Sequence, residues 1–464
     1  MAVQLIIDMI VNGPPGWVWR NRYTILYSSL ALGLLFLIKL FSSGRSNPSE
    51  RNMHGKVVLL TGGTSGVGAR VAHNLAKRGA QLVLLTHTSP GDPFLAEFIQ
   101  DLRDQYDNHL IYAEQVDLSS LHSIRKFATK WIDNAPPRRL DMIVLCAATL
   151  TPTGGERKET EEGVEETWMV NFLANFHLLG ILSPAIRAQP MDRDVRILLS
   201  TCSAYIGAPS LKTDVDETTW SPSVAYARSK LALNVFSQAF QKHLDSYKRP
   251  DGAPVNARVI CVDPGLSRTP GTRRWLTRGS LGGLAVYMLG YFFPWLLLKS
   301  PEMGAQPFLY AAMESALGRG DGGKLVKECQ VVDFARPEVH DEAVAKKLWE
   351  ESDALIERVE KTQAKKRAFQ RAEKEKTSEK TSERTSERTS SKKEKEDKEK
   401  LSDVESLFGA IKKTRSRDKD KDKDKSRDKD KKKRRDKEKE RDKDKDKDKS
   451  DEGRSRRRSK KADS

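Results

Sequence analysis

Cysteine is scarce in this chain. Four occur in 464 residues, Cys146, Cys202, Cys261 and Cys329, and none stands in a Cys-x-x-Cys spacing. That excludes a disulfide framework and a thiolate metal knuckle, so no metal site is expected; free thiols in a reducing compartment fit better. Apolar residues almost vanish from Lys361 onward, where Lys, Arg, Asp, Glu, Ser and Thr dominate. So little apolar surface cannot offset the entropy of ordering, and residues 361–464 are predicted to be a low-complexity, disordered, charged tail. Of the net charge of +17, a share of +10 belongs to residues 401–464, so the excess says little about an active site that prefers acidic substrates. Long runs without charge are also few, and two of them matter below.

The first is residues 23–41, YTILYSSLALGLLFLIKLF, with no charge before Lys39. As a helix it spans about 28 Å, roughly the hydrocarbon thickness of a bilayer. Trp17, Trp19 and Tyr23 stand as interfacial anchors, and Arg20 and Arg22 flank the run. Lys39 closes it and no small-residue cleavage site follows, which favours a single-pass membrane anchor over a cleaved signal peptide. Basic residues on both sides leave its orientation open. Met1 to Val11 form a second short apolar stretch, ended by Gly-Pro-Pro-Gly at 13–16. Three domains follow: an anchor over 1–50, a globular domain over 53–360, and the tail.

Residues 56–60, an apolar run, lead into Thr61-Gly62-Gly63-Thr64-Ser65-Gly66-Val67-Gly68, and a helical pattern leaves it over 69–78. Strand, glycine turn and helix are what a dinucleotide pyrophosphate requires. Glycines let the backbone approach the phosphates, and the helix N-terminus offers free N–H groups and a positive dipole end. Further apolar strands are predicted over 81–86, 109–116, 140–147, 195–201 and 255–262, with helical patterns between them, including 163–187 and 223–247. Short apolar strands alternating with amphipathic helices specify an α/β fold with a doubly wound parallel sheet of the Rossmann type. Ligands bind at the carboxyl ends of such strands.

At one of those ends stands Tyr226-Ala227-Arg228-Ser229-Lys230. Residues four apart share one helix face. A tyrosine at its ordinary pKa near 10 is a poor acid–base catalyst at neutral pH, and an ammonium one turn away stabilises the phenolate.

With TGGTSGVG ahead of YxxxK, the chain resembles a short-chain dehydrogenase/reductase, and within that superfamily the retinol-dehydrogenase-like, membrane-associated branch. The resemblance runs from about His54 to Arg358 and takes in the stretches at 299–306 and 341–350. It implies a catalytic tetrad of Asn, Ser, Tyr and Lys around a nicotinamide. Tyr226 would exchange the proton with the substrate oxygen. Lys230 would lower the tyrosine pKa and hold the nicotinamide ribose. Asn171 would keep a water in the proton relay. Asp117 matches the acid that meets the adenine, and Pro264-Gly265-Leu266, with Thr269 beyond, the turn that contacts the carboxamide.

Three departures stand out. Where the family has Asn-Asn-Ala-Gly, this chain has Leu145-Cys146-Ala147-Ala148, which removes side-chain hydrogen bonds from the adenosine wall. Counting along the fifth strand puts Cys202 in the serine slot, between Thr201 and Ser203. A thiol is a weak donor, so Ser203 is the expected catalytic hydroxyl. The second strand ends in Leu85-Thr86-His87-Thr88, with neither the acid that selects NAD nor the arginine that selects NADP. Without a repelling carboxylate the expectation is NADP, with His87 or Thr88 near the phosphate and NAD as the alternative.

The second charge-free run is residues 281–298, LGGLAVYMLGYFFPWLLL. In the family this region, about 266–299 here, lids the substrate pocket. A lid this apolar is expected to rest against the bilayer and admit a lipophilic substrate of retinoid, steroid or fatty aldehyde type. The resemblance implies a membrane-anchored oxidoreductase at the endoplasmic reticulum or lipid droplet, with its catalytic domain cytosolic. The rival reading is a catalytically weak, nucleotide-binding scaffold that tethers a basic tail at a membrane. In the tail, Lys and Asp largely alternate over 417–449, a solvated polyampholyte with local clusters at 431–435 and 456–458. Anionic lipid is the expected partner of those clusters, ahead of nucleic acid.

Overall fold

The computed structural model describes residues 16–213 and 220–414, with side chains given only in part beyond Arg371. Two compact units divide between Ala368 and Phe369.

After a helical turn at Gly16–Arg20, the first unit opens with helix α1, Arg22–Ser43. Strands and helices then alternate: β1 (Val57–Thr61), α2 (Gly66–Lys77), β2 (Gln81–Thr86), α3 (Pro93–Tyr106), β3 (Ile111–Gln115), α4 (Leu121–Ile132) and β4 (Met142–Leu145). A short helix, Glu166–Trp168, and a π-helical turn, Met169–Leu173, lead into α5 (Ala174–Arg187). Next come β5 (Val195–Ser200), α6 (Pro222–Asp245) and β6 (Ala257–Asp263). Three helices follow, α7 (Pro270–Leu276), α8 (Leu281–Leu289) and α9 (Phe292–Leu297), then α10 (Pro301–Met313). Strands β7 (Lys324–Lys327) and β8 (Gln330–Val332) finish the sheet, and α11 begins at Glu342.

The sheet order is β3-β2-β1-β4-β5-β6-β7-β8, parallel throughout except for the antiparallel β7–β8 pair. The order of the strands across the sheet thus reverses between β1 and β4, the switch point where ligands bind in doubly wound sheets. Successive strand side chains face opposite sides, and both sides are covered. Val57, Leu59, Val83, Ile143, Ile197 and Leu199 pack under α4, α5, α6 and the start of α11. Val58, Leu60, Leu82, Leu84, Val144 and Ile260 pack under α2, α3 and α10. The doubly wound reading therefore holds, and the sheet extends two strands beyond the six predicted.

The anchor region behaves differently. Helix α1 has 22 residues, none of them buried, and is long and apolar enough to cross a membrane. The 22-residue segment Glu166–Arg187 meets the same length and hydropathy test but is 72% buried, a core element. At its lower end α1 touches the lid: Lys39 Nζ donates to the Trp295 carbonyl (2.6 Å) and Ser42 Oγ to the Leu296 carbonyl (2.6 Å). Two expectations fall on other ground. Met1 to Val11 lie outside the described residues. Helical backbone in α11 continues past Lys361 to Thr414, and the clusters at 431–435 and 456–458 lie beyond the described residues.

Candidate active site

The glycine turn is built from backbone. Gly62 has φ +67°, and a Cβ on it would lie 2.8 Å from the Ala147 nitrogen; on Gly68 it would lie 2.2 Å from the Gly62 carbonyl oxygen. Only hydrogen side chains let the loop after β1 press against the loop after β4 and the first turn of α2. Ser65 sits in extended conformation at the N-cap of α2 without a side-chain capping bond, which leaves the first-turn N–H groups free of it. Gly66 lies against Thr269, whose own hydroxyl caps α7 by accepting from Thr272 N (3.2 Å). The Pro264–Thr269 segment thus folds back over the N-terminus of α2. A backbone cradle at a helix N-terminus fits a dinucleotide pyrophosphate.

The wall that lacks Asn-Asn-Ala-Gly is held by other groups. Ala147 N donates to Thr61 Oγ1 (3.2 Å). Asn171 grips the next turn with both ends of its amide: Oδ1 accepts from Thr149 N (2.8 Å) and Nδ2 donates to the Thr149 carbonyl (3.0 Å). Nδ2 also donates to Ser229 Oγ (3.2 Å), and the Asn171 carbonyl accepts from Asn175 Nδ2 (2.8 Å). Asn171 lies within the π-helical turn, the kind of bulge that collects at functional sites. These contacts make it a brace for the loop.

Tyr226 and Lys230 lie near the start of α6, which Ser221 caps. Lys230 is buried, with Nζ donating to the Ser200 carbonyl (2.8 Å) and lying 5.5 Å from the centre of the Tyr226 ring. Burial pushes the Lys230 ammonium down, opposed by the cysteines around it. Tyr226 is held well above 10 by burial first, then by Cys202 and the negative charge of Asp263. This direction runs opposite to the one expected of Lys230, and burial is its largest cause.

The residues after β5 part company. The Cys202 thiol and the Tyr226 hydroxyl lie side by side, each shifting the other. Ser203 Oγ instead donates to Asp263 Oδ2 (2.6 Å) and accepts from Lys327 Nζ (2.9 Å). The expected catalytic hydroxyl is thus committed elsewhere, because one step along extended backbone turns a side chain to the opposite face. Thr201 Oγ1 is buried without a partner.

Of the other expected residues, Thr61 is buried at the end of β1 and Val67 packs beside Gly304. Asp117 accepts from Ser119 N and Oγ (2.8 and 2.7 Å) at the end of β3. Exposed His87 lies past the end of β2, its carbonyl accepting from Gln115 (3.2 Å). Pro264 and Gly265 follow β6; Gly265 has φ +71° and donates its N–H to Asp263 Oδ1 (2.9 Å). Leu266 is exposed. Sequence reasoning missed three groups: Asp263, Lys327 and Lys299. The Lys299 side chain lies against Gly265 and Gly44 and is paired with Glu328.

The family model described as short chain dehydrogenase matches residues 56–278. "Uncharacterized oxidoreductase pbr1" of Schizosaccharomyces pombe is 44% identical over 345 residues, covering 73% of this chain and 92% of that one. The chain is a short-chain dehydrogenase. "Uncharacterized oxidoreductase YNL181W" of Saccharomyces cerevisiae is 37% identical, covering 71% of this dehydrogenase and 86% of its own length. Human "Retinol dehydrogenase 13" is 32% identical, at 72% and 96%. This short-chain dehydrogenase is an oxidoreductase, and its chemistry is hydride transfer.

Proposed function

We propose that this dehydrogenase, anchored by α1, transfers hydride between NADP(H) and a lipophilic carbonyl or alcohol of retinoid, steroid or fatty aldehyde type that reaches it through the bilayer. One observation carries the substrate class. Between α7 and α10 the chain exposes Leu281, Val286, Met288, Leu289, Phe293 and Leu297, and this apolar surface is tied to the foot of α1 by Lys39 and Ser42. An exposed apolar patch continuous with a membrane-length helix belongs in lipid. The relatives named retinol dehydrogenase support the same class.

The cofactor reading rests on the end of β2, where Leu85-Thr86-His87-Thr88 sets no carboxylate against a ribose phosphate. Thr61, Gly62, Ser65, Gly66, Val67 and Gly68 would hold the pyrophosphate, and Asp117 the adenine. Pro264, Gly265, Leu266 and Thr269 would hold the carboxamide end. The bound nicotinamide supplies or accepts the hydride. The chain's own part is the proton: Tyr226, protonated at neutral pH, donates it from Oη to the carbonyl oxygen. Lys230 fixes the Tyr226 helix to β5 through Ser200, and Asn171 fixes the facing loop.

The test is turnover of all-trans-retinal, a steroid ketone and dodecanal by the full chain in proteoliposomes, with NADPH and with NADH. Reduction of at least one, faster with NADPH and lost by 10²-fold or more in Tyr226→Phe, is the expected result. Equal rates for wild type and Tyr226→Phe would overturn it.

A further inference from the structure

Thr201, Cys202 and Ser203 follow one another at the carboxyl end of β5. Cys202 has φ −163° and ψ 161°, so the backbone is extended and its side chain faces away from those of Thr201 and Ser203. Only the thiol lies on the side of Tyr226, close enough to act on its hydroxyl. Ser203 cannot turn to replace it without breaking two contacts, to Asp263 and Lys327. Asp263 is buried and is itself held by Gly265 N and by Lys327 Nζ at 3.8 Å, so that knot is rigid from three elements.

We infer that Cys202 is a catalytic residue of this dehydrogenase, its S–H taking the place of a serine hydroxyl in holding Tyr226 Oη and the substrate oxygen. The inference rests on the reading of Tyr226 as proton donor. In the reducing direction the carbonyl carbon gains a hydride and its oxygen gains the Tyr226 proton, while Tyr226 is reprotonated from solvent. Cys202 donates a hydrogen bond to the same oxygen and keeps its proton throughout, so the thiol is neither oxidised nor consumed. Burial supports this by pushing the Cys202 thiol up, which keeps the hydrogen on sulfur at neutral pH. Among the described residues the neighbouring thiol of Cys261 is fully buried, and Cys202 and Cys146 are the two cysteines with partial access.

The experiment uses the full chain in proteoliposomes with NADPH and the two probes all-trans-retinal and dodecanal. It compares wild type with Cys202→Ala, Cys202→Ser, Ser203→Ala and Tyr226→Phe. Cys202→Ala is expected to lower kcat at least tenfold and by more than Ser203→Ala, whereas Cys202→Ser restores kcat to the wild-type value or above. Two results would overturn the inference alone: wild-type kcat in Cys202→Ala while Tyr226→Phe is inactive, or a larger loss in Ser203→Ala. If wild type reduces neither probe, or does so no faster than Tyr226→Phe, the reading of Tyr226 falls first and Cys202 with it.

Discussion

His177 is the most strongly shifted of the histidines whose burial makes the folded domain acid-labile below pH 6.5. It lies on α5, only 6% exposed, 3.5 Å from Glu360 Oε1 on α11. That carboxylate is already taken by Arg125, through two hydrogen bonds of 2.6 Å. Burial pushes the imidazole down from 6.5 to about 4, against the pull of Glu360 and with the help of Arg125. Above pH 6.5 the ring is neutral in both the folded and the unfolded chain. Below it the unfolded chain takes up a proton that the folded chain refuses, so stability is lost as pH falls from 6.5 toward 4. At 1.36 kcal/mol per unit the loss reaches about 3 kcal/mol, a large part of a typical folding free energy. Asp141 and Asp194, held below 3.8 by hydrogen bonds from arginine side chains despite their burial, yield only at lower pH, whereas His73, His122 and His243, also pushed down chiefly by burial, share the window with smaller shifts. Urea unfolding of the full chain in detergent, followed by tryptophan fluorescence at pH 7.5, 6.5, 5.5 and 4.5, measures it. His177→Gln, neutral at every pH, is expected to remove most of the slope between 6.5 and 4.5. Equal slopes in wild type and variant would refute the reasoning.

Two further outcomes follow from the site. Gly62→Ala places a Cβ 2.8 Å from the Ala147 nitrogen at φ +67°, so it is expected to weaken NADPH binding more than tenfold, read by nucleotide fluorescence; wild-type affinity would dismiss the backbone cradle. Aspartates at Phe292 and Phe293 cost up to roughly 3 kcal/mol each in hydrocarbon, so they are expected to raise KM for dodecanal at least tenfold while leaving a short water-soluble aldehyde unaffected. A KM that moves equally for both aldehydes would take the lid out of the bilayer.

Much of this was legible in the chain itself. Alternating short apolar strands and amphipathic helices specify the doubly wound sheet. Thr61 to Gly68 and the Tyr226–Lys230 pair come to the carboxyl edge as their spacing requires. What stayed hidden depends on partners remote in sequence. The direction of the Tyr226 shift needed the depth of its burial and the nearness of Cys202, which no local pattern reveals. The grip of Asn171 on Thr149 needed a π-helical turn, invisible to 3.6-residue periodicity. That grip, with Thr61 on Ala147, also removes the argument for an inert scaffold, since the missing Asn-Asn-Ala-Gly does not leave the wall unsupported. Ser203 was misjudged by donor strength alone, whereas the two-residue alternation after β5 already pointed to Cys202. Past Lys361, a segment rich in Lys and Glu continues as helix to Thr414, because those unbranched side chains lose little freedom in a helix.

The two bonds that fasten Lys39 and Ser42 to the backbone before α10 tie the apolar surface of α8 and α9 to the end of the anchor helix. An enzyme moored this way counts its substrate per lipid rather than per litre. Diluting the bilayer with inert phospholipid, at constant aldehyde and constant protein in the tube, should slow it in proportion. Its saturation curve then belongs on an axis of mole fraction.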